Sequence, residues 1–78
     1  MKKSDIALGN AYTDGKGNVR KVIGVGPQFV LYDGQSETDN LRYEVVLRKT
    51  GTRRVGTQGN STRASFASWA KANHITQD

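Results

Sequence analysis

Arg48, Lys49, Arg53 and Arg54 lie within seven residues around Gly51, with no acid among them. Cations gathered on one turn are suited to neutralising phosphates, the interaction that supplies most sequence-independent affinity for nucleic acid. Arg20 and Lys21 flank a second turn, so six cations on two hairpins are placed to follow a phosphate backbone. Base stacking needs exposed aromatic rings beside such cations, and Tyr12 and Tyr32 are the stacking candidates. The plainer reading gives each cation as a solvated surface charge and each tyrosine as a core residue.

Catalytic chemistry finds little to work with. His74 is the only usual general base, it lies four residues from the end of the sequence, and there is no cysteine to partner it. Tyr43 and Glu44 are adjacent on a strand-like run, so their side chains point to opposite faces and cannot form an acid/base pair. The glycines at 24 and 26, in Gly-Val-Gly-Pro, lack the third glycine and the following helix of a nucleotide-binding turn. Asp33, Glu37 and Asp39 share one loop, but the spacing is not that of a calcium loop. No enzyme activity, metal, cofactor or small-molecule substrate is expected.

Twelve Lys and Arg against seven Asp and Glu give a formal charge of +5. Such an excess attracts polyanions over a Debye length of about 8–10 Å. The absence of cysteine fits a reducing compartment. The opening Met1–Leu8 has no apolar run of the roughly 7–15 residues that a secretory leader needs, and no window approaches the roughly 20 apolar residues of a membrane span. These features point to a cytoplasmic protein of one domain, residues 1–78, with residues 1–5 frayed, and a monomer or weak dimer.

The elements that must position the cations are read from periodicity. In Leu41–Arg48, Leu41, Tyr43, Val45 and Leu47 alternate with Arg42, Glu44, Val46 and Arg48, the period of two of a strand with one buried face. Before it, an apolar stretch from Ile6 to Tyr12 leads into the turn signal Asp14-Gly15. Val19–Val25 forms a second strand with Gly24 as a bend, and Phe29–Tyr32 forms a third. After it, Lys49–Thr52 turns the chain into a fifth strand over Arg53–Gln58. From Ser61 the period changes to 3.6, with Phe66, Trp69 and Ala70 on one helical face, predicting a helix at about 62–73 capped by Ser61 or Thr62. Tyr43, Val45, Leu47, Phe66 and Trp69 are the expected core.

Five short strands and one terminal helix predict a mainly β protein, a small SH3-like antiparallel barrel. An open α+β sheet with the same helix is the alternative. The pattern Gly9-x-x-Tyr12-x-Asp14-x-x-Gly17-x-x-Arg20-x-Val22, the basic hairpin and the terminal Phe66-Ala67-x-Trp69-Ala70 together resemble small uncharacterised proteins encoded in bacteriophage and prophage genomes. The resemblance implies a phage-derived SH3-like module acting inside a bacterial host cell, and it carries over no catalytic residue. Nucleic acid, DNA or RNA without sequence preference, is the expected partner. The rival class is a protein-interaction module that inhibits or redirects a host protein or defence complex, or a small virion component.

Overall fold

Alternation places Leu41, Tyr43 and Val45 on the buried face of the longest strand, Asn40–Leu47, in a computed structural model that describes residues 1–48 and 54–74. That strand is β3. The others are β1 (Ala11–Thr13), β2 (Val19–Val25), β4 (Gln58–Thr62) and β5 (Ala72–Asn73), and all five pair antiparallel in the order β4-β3-β2-β1-β5. The helix α1 (Arg63–Trp69) and a 3-10 turn at Lys3–Asp5 supply the second layer. Between the layers, Ile6, Phe66, Ala67 and Ala70 pack with Tyr12, Val22, Leu41, Tyr43 and Val45.

The sheet is open rather than the closed barrel expected. β4 and β5 are its edges, and among the described residues neither pairs with the other. The mainly β class with one short helix holds, as does the helix cap, where Thr62 Oγ1 accepts from the Ser65 amide at 3.1 Å.

The predicted strand at Phe29–Tyr32 is a series of turns and bends. Both edges of β2 are already taken by β1 and β3, so this β-rich run cannot form a hairpin with the strand it follows. The chain instead turns at Gly26, the Phe29 amide donates to the Gly26 carbonyl, and the Phe29 ring settles over Gly24 on the outer face of the sheet. The Arg42 guanidinium stands 5.2 Å above that ring, and Asn60 links the loop to the sheet by accepting from Arg42 Nε and donating to the Val30 carbonyl.

Two element boundaries, one core residue and the start of the chain also differ from expectation. The strand expected at Arg53–Gln58 lies at Gln58–Thr62, because Tyr43 pairs with Gly59 and Leu41 with Ser61, while Gly56 sits in the preceding turn with φ +91°. The helix stops at Trp69 instead of about residue 73, because the Lys71 amide donates to Thr13 and the His74 amide to Ala11, drawing residues 72–73 into β5. Leu47, expected in the core, is 50% exposed, since the core cluster ends at Val45 and nothing in it reaches the end of β3. At the other terminus, where fraying was expected, residues 3–5 form the 3-10 turn, and the Met1 amino group donates to the Ala67 and Ala70 carbonyls.

Gly24 is where this packing is tightest. A Cβ there would lie 2.6 Å from Phe29 Cζ and 2.8 Å from Cε2. Strand propensity alone favours Ala over Gly by about 0.5–1 kcal/mol, but overpacking of this kind costs about 1–3 kcal/mol. Gly24→Ala is therefore expected to destabilise the protein in urea denaturation. In a Phe29→Ala background the same change should be neutral or stabilising, and additive effects would show that the ring does not constrain position 24.

Candidate nucleic-acid interface

The basic hairpin grows out of the β3–β4 pair. Its last ladder bonds join Val45 to Thr57 and Gly56, at 2.9 and 2.7 Å, and the Thr57 amide closes a turn on the Arg54 carbonyl at 3.1 Å. Beyond that point Arg48 and Arg54 are exposed, one on each limb. Lys49 and Arg53, the other two cations assigned to this hairpin, lie outside the described residues. Val46, Leu47 and Val55 are exposed on the same limbs, so the arm is apolar as well as basic.

Arg20 and Lys21 are separated by the strand they share. Arg20 turns toward the core side, its guanidinium carbon 4.8 Å from the Tyr43 ring centre and 4.3 Å from that of Trp69. This is cation–π geometry, worth about 0.5–2 kcal/mol depending on desolvation, and it commits Arg20 to holding the half-buried Trp69 against the sheet. Lys21 remains exposed and lies directly opposite Glu44 across the ladder, a residue of opposite charge. Strand alternation is the signal that separates these two residues.

The two stacking candidates also part. Tyr12 is 0% exposed, its ring edge-on to Phe66 at 5.6 Å, so it offers no face to a base. Its hydroxyl donates to the Asp5 carbonyl at 2.7 Å and accepts from the Ala7 amide at 2.8 Å, which ties the 3-10 turn to β1. Tyr32 is 64% exposed, but its loop is fastened at Asn60, opposite Arg42. Arg42 is six residues before Arg48 on β3, roughly 20 Å at strand rise. The exposed ring and the basic arm therefore occupy different parts of the molecule. Of the expected core, Tyr43, Val45 and Phe66 are buried, and Trp69 packs against the cluster while half-exposed.

Two other arginines, Arg42, which alternation left on the wet face of β3, and Arg63, are internally engaged. Arg42 is held by Asn60 and Phe29, and Arg63 Nε pairs with Asp39 at 2.8 Å while its Nη1 donates to the Ile6 carbonyl. The Asp33–Asp39 loop is acidic, but no group of three or more His, Cys, Asp or Glu among the described residues is arranged to hold a metal ion. Nor is any described helix long and apolar enough to cross a membrane.

The β1–β2 turn is organised by Asp14, whose Oδ1 accepts from the Lys16 and Asn18 amides and whose Oδ2 accepts from Asn18 Nδ2 at 2.8 Å. Slight burial works to raise the Asp14 pKa. The bonds from Asn18 and Lys16, with the Lys16 charge, outweigh it and hold the carboxyl below its usual value. Compared with known proteins, the chain matches no family model, no curated protein and no solved structure.

Two outcomes are expected. Tyr12→Phe should cost about 1 kcal/mol in denaturant unfolding, because it removes two partly buried hydrogen bonds, and should leave ligand affinity unchanged in the folded protein. A fall in affinity at unchanged stability would return Tyr12 to the interface. Because the folded pKa of Asp14 is depressed, its stabilising effect is present above the unfolded value of about 3.9 and is lost as pH falls through the folded pKa. The Asp14 carboxyl resonance followed by NMR should titrate below 3.9, and a midpoint at or above that value would contradict the turn geometry.

Proposed function

We propose that this chain is a small, non-catalytic binding module, phage-derived as the sequence resemblance implies, that contacts the phosphate backbone of nucleic acid through the β3–β4 arm. One observation carries the reading. Between Val45 and Thr57 the chain holds four cations and no acid, which leaves eight cations against all seven acids elsewhere. Nearly the whole net charge thus belongs to one arm, and its two described cations, Arg48 and Arg54, are exposed. Three arginines outside the arm, Arg20, Arg42 and Arg63, are occupied by rings, an amide, a carboxylate or a carbonyl. Contacts of this kind position a ligand without reading its sequence.

Binding to generic duplex and single-stranded oligonucleotides should fall steeply with salt. Arg48→Gln/Arg54→Gln should lower the slope of log affinity against log salt by about two, equally for all probe sequences. Parent protein with no salt-dependent binding to either probe would remove nucleic acid as the partner.

The second reading is a protein partner, and it is favoured by Val46, Leu47 and Val55, which are 37, 50 and 61% exposed on the same arm. Apolar anchors inside a basic rim suit an acidic protein surface, of a host enzyme, defence complex or virion component. In that case the double arginine change should mainly slow association, while truncating Leu47 and Val55 should speed dissociation.

A further inference from the structure

The register of the sheet carries the basic surface beyond the arm. Ala72 pairs with Thr13, Thr13 with Val19, and Val19 with Leu47, so these four residues form one row across β5, β1, β2 and β3. The residues one step past that row are Lys71, which donates its amide to Thr13 at 2.8 Å, the Asp14–Asn18 turn, and Arg48. Lys71, Lys16 and Arg48 are all exposed, and Arg54 stands on the returning limb. The only acid in these segments is Asp14, whose oxygens are turned onto the amides of its own turn. The acids Asp33, Glu37 and Asp39 belong to the loop that enters β3 at Asn40, at the opposite end of the strands.

Charge is therefore segregated along the strand axis. We infer that the polyanion-binding surface is the whole β1–β2-turn end of the sheet, with Lys16 and Lys71 as phosphate-contacting residues alongside the arm. This inference rests on the reading of the arm as a nucleic-acid contact. Three interstrand spacings of about 4.8 Å separate β5 from β3, so the cations span roughly 14 Å across the strand ends. That matches the rise of about four nucleotides along one DNA strand. A backbone crossing this end would run perpendicular to the strands and meet Lys71, Lys16 and Arg48 in turn. Lys16 is presented by a turn whose shape is set by Asp14 and by Gly15 and Gly17, both at positive φ, +81° and +91°. Its backbone position is thus fixed while its ammonium group stays in solvent.

The test measures the affinity of the intact chain for a generic duplex and a single-stranded oligonucleotide between 50 and 200 mM salt. The proteins compared are the parent, Lys16→Gln/Lys71→Gln, Lys16→Arg/Lys71→Arg and Lys21→Gln. The Gln pair should lower the salt slope by about two, so that the parent's advantage shrinks about tenfold across that range. The Arg pair should restore it, which separates lost charge from a damaged turn, and Lys21→Gln should behave as the parent. If the parent binds with a slope that Arg48→Gln/Arg54→Gln lowers but the Lys pair does not, the inference falls and the arm reading stands. If the parent shows no salt-dependent binding, both fall together. Gln and Arg pairs that lose affinity alike would show that the lysines act through the fold, and would also overturn it.

Discussion

The architecture depends on the ring of Phe66. It meets Tyr12 edge-on at 5.6 Å, Tyr43 at 6.0 Å and Trp69 at 5.3 Å, and it is 1% exposed. A helix of seven residues is far below the roughly 12–15 at which isolated helices become even marginal in water, so α1 exists because this ring is buried against the sheet. The same contact organises the start of the chain. Tyr12 is held by Phe66 on one side and by the backbone of Asp5 and Ala7 on the other, so helix, first strand and 3-10 turn share one anchor.

That aromatic centre also draws arginines into the fold. Guanidinium groups are weakly hydrated and stack well on rings, so an arginine near a packed aromatic is drawn into the fold. Arg20 goes to Tyr43 and Trp69, and Arg42 to Phe29. Arg63 is spent on Asp39 and the Ile6 carbonyl, joining the helix to the entry of β3. The exposed cations Lys16, Arg48, Arg54 and Lys71 belong to turns and strand ends.

The two faces of the sheet are covered by different means. The helix and the 3-10 turn cover one with apolar burial, while the other receives the Phe29 loop, fastened by its ring over Gly24 and under Arg42 and by the Asn60 amide. Since β2 is saturated on both edges, this loop cannot pair back on it, and Val30, Leu31 and Tyr32 stay exposed although their composition is that of a strand. Propensity for a β conformation is in effect propensity to fill a pleated, half-buried surface, and beside β2 no such place was vacant.

Local periodicity determined β3 with Leu41, Tyr43 and Val45 inward, β2 with its irregularity at Gly24, and the start of the helix, capped by one of the two residues expected, because these rest on local spacing of two or 3.6 and on residues with local backbone demands. Tertiary structure decided the rest. The open order β4-β3-β2-β1-β5 and the two-residue β5 depend on which edges are vacant, and Ala72-Asn73 carries no strand signal of its own. The burial of Tyr12, the exposure of Leu47 and the stacking of Arg20 depend on what the second layer covers, which side-chain type does not reveal. That Lys16 and Lys71, fifty-five positions apart in the sequence, flank the same end of the sheet as Arg48 follows only from strand register, a long-range pairing that no local pattern encodes.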